Sequence, residues 1–92
     1  MTSINRNQRR NSTPGGRHVF VPDGLFQVRM LRGPRTSWWG SAASARNEAV
    51  HAVEEGQWAS GFAELYERVS GRDVLRDAAE IQRRGNTTCW RR

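Results

Sequence analysis

The chain has 92 residues, a single cysteine and a net charge of +6. That length bounds the fold to one small domain with a modest core, and leaves little room for an enclosed cofactor pocket. One cysteine, Cys89, excludes an internal disulfide, and no apolar run approaches the ~20 residues of a membrane span.

All 15 basic residues are arginine. A GC-rich coding sequence explains that bias. So does a binding surface, because the planar guanidinium fork suits phosphates and guanine edges better than an ammonium does. The charge is segregated along the chain. Residues 1–46 hold eight Arg and one acid, residues 47–82 three Arg and eight acids, and residues 83–92 four Arg and no acid. A basic front, an acidic middle and a basic tail predict a molecule with two opposite faces, the basic one matched to a polyanion.

Residues 1–16 are polar and basic, end in "TPGG", and read as a flexible arm carrying Arg6, Arg9 and Arg10. The arm lacks the apolar core of a secretory signal, so a soluble, intracellular protein is expected. "RHVFV" (17–21) reads as a strand and "PDG" (22–24) as a turn. "LFQVRMLR" (25–32) then completes a hairpin. "GPR" (33–35) is a second turn, and "TSWWGS" (36–41) is expected as a short third strand. Period-two alternation puts Phe26, Val28 and Met30 on a core face, with Gln27, Arg29 and Leu31 on the other. It also sends one of Trp38 and Trp39 inward and one outward.

From Ser44 the period changes. "SARNEAVHAVEEG" (44–56) predicts a helix capped by Ser44 and stopped by Gly56, with Ala45, Ala49, Ala52 and Val53 as a small-residue stripe. Trp58, Phe62, Leu65, Tyr66 and Val69 fit a second amphipathic helix over 57–70, with Trp58 in the core and Gly71 as the stop. Asp73, Val74, Ala78 and Ile81 fit a third over 73–84, ended by Gly85. "NTTCWRR" (86–92) reads as a basic tail. The expected architecture is an α+β fold: a three-stranded antiparallel sheet with helices packed on one face and the other face open.

Catalytic chemistry finds little support. His18 and His51 with Cys89 form no recognisable metal cluster, and "PGGR" and "RGPR" lack the helix that a phosphate-binding loop requires. Cys89 has no histidine nearby in sequence to activate it. The acids read as exposed helical partners of Arg68, Arg72 and Arg76. No catalytic residue, metal or cofactor is assigned. The expected contact set is Arg10, Arg17, Arg29, Arg32, Arg35, Trp38, Arg91 and Arg92. Arginines on a sheet face with an outward tryptophan suit phosphates and stacked bases, or a protein partner.

Two resemblances bear on the partner. The run "FQVRMLRGPRTSWWGSAASARNEAVHAVEEG" (26–56) resembles the three-stranded-sheet-plus-helix DNA readers of plant ethylene-response factors and of tyrosine-type phage integrase arms. That resemblance implies that Arg29, Arg32, Arg35 and one of Trp38 or Trp39 face DNA. The whole chain, from "MTSINRNQRRNSTPGG" to "GNTTCWRR", resembles phage-encoded anti-CRISPR proteins acting on the type I-F (Csy) system. That family shares no motif from which site residues carry over.

The second resemblance implies a non-catalytic inhibitor in the cytoplasm of an infected bacterium. It would bind the surveillance ribonucleoprotein through its backbone and DNA-recognition subunits and its crRNA, and block target DNA. Neither a membrane nor a small-molecule substrate is implied. Many such inhibitors are acidic DNA mimics, and the net positive charge here departs from that pattern. It implies instead a split surface, with an arginine face on crRNA or acidic protein and acidic helices on DNA sites. A duplex-DNA reader and a purely protein-binding assembly factor are the competing expectations.

Overall fold

The computed structural model describes residues 20–92. Its elements run β1 (Phe26–Met30), α1 (Ala42–Glu54), β2 (Gly61–Val69), β3 (Arg72–Arg84) and β4 (Thr87–Arg91). The four strands form one antiparallel meander in the order β1-β2-β3-β4, and α1 lies on one face of it. The α+β class stands. Among the described residues the sheet has four strands rather than three, and one helix covers it rather than several.

The helix forms where its composition favours it, along an alanine-rich run. Its N-cap is Ser41 rather than Ser44. Ser41 is extended (φ −143°), and its hydroxyl accepts from the Ser44 N–H at 3.1 Å. Gly56, at φ 78°, takes the left-handed position just past the C-cap and ends the helix as expected. The expected stripe of Ala45, Ala49, Ala52 and Val53 is the buried face. These small side chains let the helix sit close to the sheet, against Val28, Met30, Ala63, Leu65 and Ile81. Trp58 and Trp90 close the rim of this core, both half-buried.

The stretches expected as the second and third helices are the long central hairpin, β2 and β3. Ser70 (φ 51°) and Gly71 (φ 75°) both lie at positive φ, which is the signature of a type I′ turn. Gly85 (φ 61°) opens the next tight turn, between β3 and β4, so the expected tail is a strand. Glycines 71 and 85 therefore turn hairpins rather than stop helices. Read at period two, Ala63 and Leu65 point to α1, while Phe62, Glu64 and Tyr66 point away. Ala78 and Ile81, expected to share a side, lie on opposite faces; Ile81 is fully buried and Ala78 exposed. A register shift pairs Leu65 with Asp77 and Tyr66 with Leu75. Arg76 is thus the extra residue of a β-bulge, and its Nε donates to Glu67 at 2.9 Å.

The expected hairpin before β1 is not present among the described residues. Phe20 and Val21 are not in a strand, and Arg17 to Val19 lie outside the described residues. The Pro22–Gly24 turn serves β2 instead. The Gly24 N–H donates to the Arg68 carbonyl at 2.8 Å, and Asp23 accepts from the Gly71 N–H at 3.1 Å.

Residues 34–39 run along the outer edge of β1 as a strap, joined by two isolated bridges, Phe26 with Trp39 and Arg29 with Arg35. Thr36 explains why this is not a third strand. Its hydroxyl accepts the Val28 N–H at 2.9 Å, so a side chain supplies one of the bonds that a ladder would have made with backbone. Gln27 Nε2 donates to the Thr36 carbonyl at 2.9 Å, and both residues are buried.

Candidate binding face

Helix α1 covers one side of the sheet. The other side is built by pleat alternation from Gln27 and Arg29 on β1; Phe62, Glu64, Tyr66 and Arg68 on β2; Asp73, Leu75, Ala78, Glu80, Gln82 and Arg84 on β3; and Cys89 and Arg91 on β4. No element of the described residues covers it.

One half of this face is a closed electrostatic network. Asp73 accepts from Arg29 and, at 2.6 Å, from Arg68. Both guanidinium groups hold its carboxyl below the usual carboxylate range, Arg29 more strongly. Arg29 Nε also donates to Gln27 at 2.8 Å, and its guanidinium lies 4.3 Å from the centroid of the Tyr66 ring. The Tyr66 hydroxyl donates to Glu64 at 2.8 Å, which pushes its pKa up because ionisation would cost that bond. Arg29 was expected to face a partner. Within the fold it is held by Asp73, Gln27 and Tyr66.

The other half is different. Phe62 is 63% exposed and Leu31 65% exposed. They form a shared wall between two hollows. One, of about 270 Å³, is lined by Arg32, Pro34 and Ser60 among others. The second, of about 630 Å³, extends over Ala78 to Glu64, Glu80, Gln82 and Arg91. Arg32, Arg84 and Arg91 are exposed, and none is in an ion pair among the described residues.

The expected contact residues are thus dispersed. Arg10 and Arg17 lie outside the described residues. Arg32 and Arg35 are exposed on the turn and strap after β1. Arg91 lies on the uncovered face. Arg92 turns to Asp77 on the helix side, with Nη2 at 2.8 Å from Oδ2. Asp77 also accepts from the Trp90 indole at 3.2 Å, and Arg92 holds its carboxyl below the usual range. Trp38 is half-buried. Trp39 is the more exposed of the pair at 39%, with its indole N–H donating to Glu48 at 2.6 Å.

The acids are not gathered on a helical layer either. Glu64, Glu67, Asp73, Asp77 and Glu80 all sit in the sheet, where Arg68 pairs with Asp73 and Arg76 with Glu67. Among the described residues the charges are not divided into a basic face and an acidic face as the linear pattern predicts. Charge blocks along the chain are interleaved by strand pairing.

Phe62 and Tyr66, expected in a helical core stripe, both lie on the face away from α1. The signal that locates them is the pair of turn dipeptides, Ser70-Gly71 and Gly85-Asn86, spaced for two hairpins. Fold and face together define the class: a small α+β domain with a partly apolar, arginine-edged sheet face that no element of the described residues covers. Among known protein families, curated proteins and solved structures, none matches the chain.

Proposed function

We propose that the chain is a non-catalytic binding protein whose uncovered sheet face docks on a crRNA-guided ribonucleoprotein. Its target is the type I-F surveillance complex, from which it excludes target DNA. The observation that carries the binding reading is the exposed pair Phe62 and Leu31, flanked by Arg32 and Arg91, on a face that no element of the described residues covers. An exposed aromatic rimmed by exposed guanidinium groups is the composition of an interface anchor against RNA or an acidic protein patch. The resemblance of the whole chain to anti-CRISPR proteins supplies the particular target.

The test is a gel-shift series at two salt concentrations with duplex DNA, guide RNA and the assembled complex challenged with target DNA. Loss of target binding by the complex at near-stoichiometric protein, with weak binding to bare duplex, is expected. Tight, salt-steep binding to bare duplex would replace this reading with a duplex-DNA reader. Indifference to all three would leave a protein-only assembly factor.

A further inference from the structure

Phe62 has surroundings that favour one kind of occupant. Its ring is 63% exposed at the centre of the bare half of the sheet, and hollows open on both sides of it. Burying an aromatic ring is favourable, so a ring left in water beside concave space is a platform for another flat apolar group. The rim carries Arg32 on one side and Arg91 on the other, with Arg84 two pleats further along the same face. Arg32 and Arg91 line the hollows beside this ring and make no ion pair among the described residues, with Arg91 directly across the strands from Glu80. Exposed guanidinium groups beside an exposed ring fit a phosphate backbone that tracks past stacked bases.

The floor of the larger hollow adds a preference. Glu80 lies in the same cross-strand row as Phe62, and its neighbour Glu64 lines the same hollow. Glu80 already accepts from Gln82 Nε2 at 2.8 Å, and Glu64 from the Tyr66 hydroxyl. Ionised carboxylates only accept hydrogen bonds. They attract the exocyclic amino groups of cytosine, adenine and guanine, and favour uracil less, because its single N3–H donor is flanked by two carbonyl oxygens that a carboxylate repels. A base inside a duplex is stacked on its neighbours and cannot lie on Phe62, so only an unpaired base reaches this ring.

Resting on the ribonucleoprotein reading above, we infer that the Phe62 platform takes an unpaired, amino-bearing base of single-stranded RNA, stacked on the ring, with the flanking phosphates held by Arg32 and Arg91.

Fluorescence anisotropy with labelled oligocytidylate and oligouridylate of about ten nucleotides, a length one small sheet can span, tests this on the full chain. Oligocytidylate is expected to bind more tightly than oligouridylate, with affinity falling as salt rises. Phe62→Ala is expected to weaken oligocytidylate binding about tenfold, and Phe62→Trp to retain it, because a larger ring still stacks. Circular dichroism checks that both variants fold. Glu80→Gln is expected to narrow the difference between the two oligomers.

Absence of binding to either oligomer, equal affinity of Phe62→Ala, or a preference for uridylate overturns the inference. The same variants mixed with the surveillance complex separate it from the broader reading. If Phe62→Ala blocks target DNA as well as the unaltered chain does, the stacking inference fails and the inhibitor reading stands. If the unaltered chain binds oligocytidylate through Phe62 yet leaves the complex active, the inhibitor reading fails alone.

Discussion

Replacing Arg29 by Ala is expected to destabilise the domain, whereas replacing Arg32 and Arg35 together is not. Arg29 loses three things at once: the ion pair with Asp73, the bond from Nε to Gln27 and the stack over Tyr66. A charge-assisted hydrogen bond contributes about 1.5–3 kcal/mol and a cation–π contact about 0.5–1 kcal/mol. The Arg29 side chain is 25% exposed, which lowers the first figure. Asp73 also keeps Arg68, so its carboxylate is not stranded. The net expectation is a loss of about 2 kcal/mol, equivalent to roughly 8–16 °C in Tm for a domain of this size. Arg32 and Arg35 are exposed without partners among the described residues, and their joint removal is expected to stay within about 0.5 kcal/mol. Urea denaturation followed by tryptophan fluorescence measures both. A double-mutant cycle with Asp73→Asn should return a coupling of about 1 kcal/mol. An Arg29→Ala variant as stable as the unaltered chain would refute the stabilising part assigned to Arg29.

Three further predictions concern the same structure. Ser70 sits at φ 51°, where a non-glycine side chain is strained, so Ser70→Asn should raise stability by up to about 1 kcal/mol by supplying the Asn-Gly pair that type I′ turns favour; a fall in Tm would contradict that turn. Ile81→Ala empties a fully buried position at the centre of the core and should cost about 2–5 kcal/mol in urea unfolding, far more than Leu75→Ala on the open face. The Asp73 and Asp77 carboxyls are both held below their unfolded values, so their contribution is present above the unfolded carboxylate pKa and is lost as pH falls through the folded one. Stability should therefore decline on acidification below about pH 4, and Asp73→Asn should flatten that decline; a pH-independent midpoint would show the pairs to be unimportant.

How much of this was legible in the chain depends on whether local pattern or strand pairing decided the outcome. The helix was legible. Alanines at spacing three and four, a serine ahead of them and a glycine after them specify α1 within a few residues, because helix hydrogen bonds are local. β1 was legible too, from Phe26, Val28 and Met30 alternating with Gln27 and Arg29. The central hairpin was not. In 61–69 the apolar residues satisfy a helical period and a strand period together, and in 72–84 the sequence is rich in Leu, Arg, Ala, Glu and Gln, all good helix formers.

What settles β3 as a strand is that β2 and β4 pair with it on both sides, a cooperative gain that no window of the sequence contains. The same is true of charge. The sequence by itself determined the numbers: many arginines, few acids, and their order along the chain. Only the tertiary structure decided which arginines remain available. Antiparallel pairing brings Asp73 against Arg29 from 44 residues away, and it leaves Arg32 and Arg91 lining the hollows beside an exposed Phe62. Partner choice between charged groups is set by distance in space, and chain order does not encode it until the strands have paired.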